Sequence, residues 1–339
     1  MSKEFINKKA IALLSGGLDS TLAIKIMLQQ GIEIIAVNFT SPFCNCTPRK
    51  NGCPNQARKV AAELGVPIKV LPKGMDYLKI VENPNFGYGQ GMNPCLDCRI
   101  YMLKKVKDLM PAYQASFVIT GEVLGQRPMS QHWSALQLIE RESGLKGLIL
   151  RPLSAKYLPP TIPELVGIVD REKLFAHCGR SRKFQISLAQ ELKITDYPCP
   201  AGGCLLTDQV IAQRLKDLFL HYSNYTMADL HFLKIGRHFR LHPQLKIIVG
   251  RNKEENELLW NLRKSNSPLY YPKNFRGPMA IAFGDIDHNQ QMIGEILACF
   301  SKEEKNSYLI GEKIGEEERF FSVARKFPRE KLNQFNIGG

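Results

Sequence analysis

Six residues near the start of the chain, Ser15-Gly16-Gly17-Leu18-Asp19-Ser20, have the types and order of an anion cradle. Two adjacent glycines let backbone N–H groups approach a phosphate closely, because no Cβ stands in the way. Ser15, Ser20 and Thr21 add hydroxyl donors. Asp19 belongs beside a phosphate only if a metal ion comes with it, or if its carboxylate caps a helix. The Gly-Lys-Ser/Thr ending of a Walker A loop is missing, so the motif is of another kind. The second chemical centre is Asn93-Pro94-Cys95-Leu96-Asp97-Cys98-Arg99. Two cysteines in the first turn of a helix, beside an arginine, favour the thiolate. A thiolate attacks carbon or sulfur, carries a persulfide or binds a metal. Cys204 arrives from a Gly-Gly loop far along the chain. Cys95, Cys98 and Cys204 together suit three readings: ligands of a 4Fe-4S cluster with one iron left open, a redox pair with a persulfide donor, or a structural zinc site. Cys199 can replace Cys204 or join it. Cys44, Cys46 and Cys53 form a further group, read as a zinc site completed by another His or Cys, as a sulfur relay, or as no metal site.

The elements that must position these residues are legible around them. Ala10 to Leu14 is a continuous apolar run, as in a buried parallel strand. Thr21 to Gln30 has helical spacing, and Ile34 to Phe39 is a second strand. A helix from Asn55 to Leu64 and a strand from Pro67 to Leu71 complete a βαβαβ run. The pattern predicts an α/β fold with a doubly wound parallel sheet, whose ligands bind at the carboxyl ends of the strands. Residues 83–94 read as a loop, Cys98 to Met110 as a helix, and Ser116 to Thr120 and Leu148 to Leu150 as strands. A helix recurs over 180–192. Pro198 to Cys204 breaks regular structure, so the catalytic domain is expected over 1–205. A connecting helix follows over 206–225, then a smaller α+β domain over 226–300 and a charged segment over 301–339, read as strand, loop or tail.

The whole chain sets bounds. It has 339 residues, 44% hydrophobic and 23% charged, enough for two or three domains. The net charge of +14 points to a polyanionic partner, with RNA or DNA first. No apolar run approaches the ~20 residues of a membrane span, and the amino terminus has no signal-peptide core. The expectation is a cytoplasmic protein with no membrane partner. Nine cysteines there are not read as disulfides. Cys178 and Cys299, outside the clusters, read as buried small hydrophobes.

The motif from Ser15 to Ser20 resembles the PP-loop of the ATP pyrophosphatase superfamily, which has the Rossmann-like adenine nucleotide alpha hydrolase fold. Asn93-Pro94-Cys95-x-x-Cys98 resembles the NPCxxC of MnmA-type 2-thiouridylases. Gly121-Glu122-Val123-Leu124-Gly125-Gln126, with Ser130-Gln131, is similar to a stretch of ThiI 4-thiouridine synthetases, as is Arg151-Pro152-Leu153. The remote third cysteine is similar to that of iron–sulfur-dependent TtuA-type enzymes. The resemblance covers residues 8–205. It departs at Ser154-Ala155-Lys156, where ThiI has Asp-Lys, and no ThiI-type RNA-binding domain fits before the first strand. Farther on, Gly236 to Leu241, Ile248 to Asn256 and Gly277 to Ala280 resemble the NFACT-R RNA-binding domain. Residues 231–300 hold ten Lys/Arg against six Asp/Glu.

The resemblance implies an ATP-dependent tRNA sulfurtransferase. Ser15, Gly16, Gly17, Asp19 and Ser20 would hold the ATP phosphates with Mg²⁺. Val37, Asn38 and Phe39 would flank adenine, with Gly121, Glu122 and Gln126 closing the pocket. Arg127, Ser130 and Gln131 would position ATP or RNA. Cys95, Cys98 and Cys204, with Asp19, form the catalytic set. Arg180, Arg182, Lys183, Arg237, Arg240, Arg251 and Lys253 would contact tRNA phosphates, and Phe239, Tyr270 and Tyr271 would stack on bases. The partners implied are tRNA, a sulfur donor (sulfide, or persulfide from a cysteine desulfurase) and a second copy in a homodimer. The alternatives are a nucleotide-dependent RNA-binding protein without thiolation, and adenylation of a small molecule.

Overall fold

The computed structural model describes residues 7–44, 53–197, 204–264 and 266–338. They fall into two compact units, 1–205 and 206–339. The N-terminal unit runs β1 (Lys9–Leu13), α1 (Leu18–Gln29), β2 (Glu33–Thr40), α2 (Cys53–Glu63), β3 (Ile68–Pro72), α3 (Met75–Glu82), α4 (Cys95–Tyr113), β4 (Phe117–Ile119), α5 (Trp133–Ser143), β5 (Ile149–Leu150), α6 (Ile162–Leu165) and α7 (Lys183–Glu191). Its sheet has the order β3-β2-β1-β4-β5, and every pair is parallel. This is the doubly wound sheet that the alternating pattern predicts.

β1 is central because it is apolar on both faces. Ala10 and Ala12 join one core with Leu22 and Met27 of α1, while Ile11 joins the other with Leu103 and Val106 of α4. Strand order reverses between β1 and β4, which opens a crevice at their carboxyl ends. The Ser15–Ser20 loop leaves β1 there, and Gly121-Glu122 leaves β4 beside it. α4 begins at Cys95, three residues before the expected start, so both cysteines of the CxxC lie in its first turn.

The C-terminal unit contains α8 (Gln209–His221), α9 (Asp229–Phe232), β6 (Arg237–His242), β7 (Leu245–Val249), α10 (Lys253–Leu262), β8 (Leu269–Pro272), β9 (Ala280–Gly284), α11 (Gln290–Cys299), β10 (Tyr308–Ile314) and β11 (Glu317–Val323). Its sheet is antiparallel, ordered β11-β10-β8-β9-β7-β6. One expectation changes here, and one open reading is settled. α8 is built into this unit rather than merely leading to it: Arg214 donates to the carbonyls of Leu233 at 2.8 Å and Gly236 at 3.0 Å. The charged segment 301–339 also holds a hairpin, pairing Tyr308 with Val323 through Ile314 with Glu317. Glu317, Glu318 and Arg319 of β11 are exposed, while Tyr308, Ile310 and Val323 enter the core. Among the described residues, no helix is long and apolar enough to cross a membrane.

Gly121 shows how tightly the crevice is built. A Cβ there would stand 2.5 Å from the carbonyl carbon of Asp19 and the amide nitrogen of Ser20. Gly121→Ala is therefore expected to push the loop off β4 and cost about 1–3 kcal/mol of stability. Urea unfolding measures this; an unchanged midpoint would show that the close approach is not needed.

Candidate active site

The Ser15–Ser20 loop is held by its own hydroxyls. Ser15 Oγ lies 3.1 Å from Ser20 Oγ and accepts from the Gly17 amide at 3.2 Å. Ser20 Oγ donates to the Gly17 carbonyl at 2.9 Å, and Thr21 Oγ1 does so at 3.0 Å. Gly16 has φ +80°, the left-handed region where glycine is at ease, and it faces the α2 backbone at Ala57. Gly17 is the N-cap of α1, and no side chain caps that end. The first-turn amides and the helix dipole thus form an anion site.

Unpartnered polar atoms surround this loop. Asp19 Oδ1, Asn38 Oδ1, His177 Nε2 and Arg182 Nε are buried without a hydrogen-bond partner. Each such atom costs about 1–3 kcal/mol unless a ligand satisfies it. Burial pushes the Asp19 carboxyl up; Arg182, Gln126, Arg127 and His177 pull against that. A divalent cation at Asp19 would reverse the balance, so this donor set fits a metal–phosphate ligand. Arg182 Nη2 lies 4.0 Å from Asp19 Oδ1. The expected tRNA contact Arg182 is therefore drawn into the loop's charge network, while Arg180 and Lys183 are exposed. Asn38 donates to the Leu14 carbonyl at 2.8 Å and stands at the strand end as expected. Val37 is a core residue and Phe39 packs against the same core, because both project to the α4 side of the sheet. The Val37 side chain is therefore closed to adenine, while Phe39 is half-buried.

Glu122 is 3% exposed and committed to protein partners. It accepts from Arg151 Nε at 3.0 Å and Thr120 Oγ1 at 3.2 Å, and Arg99 Nε lies 3.5 Å away. Burial alone would raise its pKa, but Arg151 and Arg99 more than offset that and hold it below the usual carboxylate range. Both hydrogen bonds fall on Oε2, whereas Oε1 is buried without a hydrogen-bond partner, so Glu122 braces the end of β4 and keeps one oxygen free of hydrogen bonds.

The thiol centre gathers around Tyr77, which no sequence motif marks. Burial raises the Tyr77 phenol, and Cys98, Cys204 and Cys95 each push it further. Lys73, 8% exposed, donates to Cys98 Sγ at 2.9 Å and stands 4.6 Å from the Tyr77 ring centroid. Burial opposes ionisation of Cys98, but Lys73, Tyr77 and Arg99 outweigh it and lower its pKa. Cys95 goes the other way: burial and the Cys98 charge raise it against Arg99 and Asn93, whose Nδ2 donates to its sulfur at 3.0 Å. Cys204 Sγ sits 3.6 Å from the Phe43 carbonyl, which also accepts from the Leu205 amide at 2.9 Å. Lys73 and Tyr77 were readable in one respect only: they follow β3 at the carboxyl edge. Among the described residues, no three Cys, His, Asp or Glu side chains are placed to hold a metal ion. Cys46, Cys199 and the side chain of Cys53 lie outside the described residues. Cys178 is exposed, contrary to expectation, and Cys299 is buried.

In the C-terminal unit several expected phosphate contacts are already engaged. Arg240 grips Asp217 through Nε at 2.9 Å and Nη2 at 2.8 Å, so it is a framework residue. Arg251 pairs with Glu255 one turn on, and Lys253 is exposed. Arg237 lies over the Phe300 ring at 5.1 Å, with Arg329 over the same ring at 4.9 Å. Phe239 and Tyr270 are core residues rather than stacking surfaces, and Tyr271 is half-buried.

Two outcomes follow. Folding lowers the Glu122 pKa, so its stabilisation is complete above the unfolded value near ~4.3 and is lost as pH falls through the folded value. Glu122→Gln is expected to cost about 3–5 kcal/mol near neutrality and to flatten this part of the acid limb of a stability–pH profile. An acid limb identical to that of the parent would refute the buried pairing. In metal-free protein, the Cys98 thiolate absorbance is expected to appear at lower pH than that of Cys95, and Lys73→Met should move Cys98 upward. Indistinguishable titrations of the two single-cysteine variants would refute this.

Comparison with known proteins gives two matches to family models. Residues 5–156 match thiamine biosynthesis protein (ThiI), and residues 236–336 match the NFACT protein RNA binding domain. The tRNA-specific 2-thiouridylase MnmA of Clostridium acetobutylicum is 30% identical over 135 residues, 34% of this chain and 36% of that protein. A probable tRNA sulfurtransferase of Methanosarcina mazei is 32% identical over 124 residues, 35% of this chain and 29% of its own. The chain thus spans about a third of the length of the curated relatives it matches. A crystal structure of a 4-thiouridine synthetase–RNA complex with bound ATP superposes with TM-score 0.36 at 22% identity, covering 55% of this chain and 51% of that one.

Proposed function

We propose that this protein thiolates a uridine of tRNA at the expense of ATP. The observation that carries the reading is a continuous line of contacts between the two centres. Asp19 of the loop packs against Gly121; Glu122 follows it, and Arg99 reaches Glu122 from the residue after Cys98. A phosphate cradle and a thiol centre built into one crevice suit a reaction in two steps. A uridine carbonyl oxygen attacks the α-phosphorus of ATP and expels pyrophosphate. A sulfur nucleophile then adds to the activated carbon, and the C–O bond breaks with AMP as leaving group.

The chain's own residues have distinct parts in this. The loop amides, Ser15 and Ser20 hold the phosphates, with Arg182 countering charge that grows on pyrophosphate. Asp19 would hold the Mg²⁺. Lys73 and Tyr77 keep Cys98 as a sulfur anion, and Cys95 and Cys204 stand by as its partners. Two forms of sulfur suit this set. One is a persulfide on Cys98, favoured by the ammonium beside its sulfur and supplied by an external persulfide donor. Its outer sulfur adds to the carbon, and the Cys95 or Cys204 thiolate then attacks the Cys98 sulfur and breaks the S–S bond. That leaves the thiolated base and a disulfide that an external thiol reduces. The other is sulfide on a 4Fe-4S cluster, which would supply an open iron for it and which Cys95, Cys98 and Cys204 would ligate. The basic C-terminal unit would bind the tRNA, a reading supported by its match to an RNA-binding domain.

The test is tRNA-dependent exchange of labelled pyrophosphate into ATP. The parent protein is expected to exchange, and Asp19→Asn to lose about 10²-fold. No exchange with bulk tRNA, from protein purified without oxygen, would reject the adenylation step. Iron and acid-labile sulfide analysis of the same preparation decides the sulfur form. Iron retained by the parent and lost in Cys204→Ala supports the cluster; an iron-free parent that carries cyanide-releasable sulfur supports the persulfide.

A further inference from the structure

The loop that follows β4 joins the phosphate cradle to the thiol centre, and it carries an exposed cation. Leu124 is tied down at its start: its amide donates to Ser154 Oγ at 2.9 Å, and its carbonyl accepts from the Gly179 amide at 2.7 Å. The Gly125 amide donates to the Gln131 carbonyl at 2.7 Å, which closes the loop, and Ser130 and Gln131 are buried at its far end. Between these anchors the loop reaches both ways. The Gln126 amide is set against the Asp19 carboxyl. Met129 lies on Gly89, where a Cβ would stand 3.1 Å from Met129 Cγ. The Gly89 amide donates to the Asn93 carbonyl at 2.9 Å, and Asn93 Nδ2 donates to Cys95 Sγ. Arg127 stands between Gln126 and Met129. It is exposed and forms no ion pair among the described residues. Burial raises both the Asp19 carboxyl and the Cys95 thiol, and Arg127 pulls against it at each. Arg182 does so at Asp19, and Arg99, held 3.5 Å from Glu122, does so at Cys95.

The thiolation reaction has one group that must occupy this span. The β- and γ-phosphates belong in the Ser15–Ser20 cradle, and the sulfur comes from the cysteines. Between them lies the α-phosphate, bonded to pyrophosphate before the first step and to the uridine oxygen after it. We propose that Arg127 is a catalytic residue that holds the α-phosphate through both steps and stabilises AMP as it leaves. The inference rests on the thiolation reading and adds the side chain that serves both of its halves. In the first step the uridine oxygen supplies the electron pair of the new O–P bond. Pyrophosphate leaves with the pair of the broken P–O bond, and the uridine N3 proton passes to water. The α-phosphate has the same charge before and after. In the second step the sulfur supplies the pair of the C–S bond, and the pair of the broken C–O bond goes to the phosphate oxygen. AMP then carries one more negative charge than the ester did, beside a guanidinium already in place.

The test follows one turnover of the full chain with bulk tRNA and ATP labelled at the α-phosphate. Sulfur is supplied as sulfide, or as cysteine with a cysteine desulfurase. Label on RNA reports the adenylated base, and free AMP reports its conversion. Arg127→Gln is expected to slow AMP formation about 10²-fold. Pyrophosphate exchange is expected to slow less than about tenfold, so label accumulates on the RNA. Arg127→Lys, which keeps the charge but not the planar fork, should recover part of the rate. Guanidinium ion, added far below denaturing concentration, should speed AMP formation by Arg127→Ala and not by the parent; a merely structural role would not respond. An equal fall in exchange and AMP formation, or no fall in either, would overturn the assignment while the thiolation reading stands. A deficit that disappears when tRNA is raised would place Arg127 on the RNA backbone and overturn it as well. A parent that neither exchanges pyrophosphate nor labels RNA would overturn the reading on which the assignment rests.

Discussion

A buried carboxylate between two guanidinium groups holds the N-terminal unit's chemistry in place. Glu122 leaves the end of β4, Arg151 comes from the segment after β5, and Arg99 comes from the first turns of α4. Removing one partner would strand a charge in a dry interior, which is costly whatever the net worth of the intact set. The network therefore fixes where α4 starts relative to the sheet, and with it where the Cys95–Cys98 pair sits. Asp97 adds a second tie: its carboxylate accepts from the amides of Asn85 at 3.0 Å and Phe86 at 3.1 Å, anchoring the loop that leads into α4.

The architecture was legible where burial is two-sided. Ala10-Ile11-Ala12 and Phe117-Val118-Ile119 announce central parallel strands because nothing polar interrupts them. The Ser15–Thr21 stretch was legible because two glycines and three hydroxyls are hard to explain otherwise. What the pattern could not show was the division of labour among charged residues. Arg182 and Arg180 look alike in sequence, yet one joins the charge network of Asp19 and the other faces solvent. Glu122 looked like a pocket residue, and its second role as a brace between Arg151 and Arg99 carried no sequence mark. Lys73 carried no motif, since its partner Cys98 is 25 residues away in sequence.

The C-terminal unit repeats that lesson. A count of positive charge pointed to nucleic acid, but charge counts do not reveal which cations are already neutralised. Asp217 takes up Arg240 and Lys246, and burial, which would raise its carboxyl, is outweighed by those two. The hairpin over 308–323 was weakly marked because the charged run Glu316 to Arg319 at the start of an edge strand resembles a solvated tail until its partner strand is known.

The nearness of Arg182 to Asp19 has a thermodynamic corollary. With no ligand, each moderates the other's field across 4.0 Å. A polyphosphate alone would draw the guanidinium and leave the carboxylate facing a like charge. A divalent ion alone would draw the carboxylate and leave the guanidinium facing a like charge. Together they satisfy both side chains. Association of the two should therefore be mutually reinforcing, each tightening the other by the same factor, as reciprocal linkage demands.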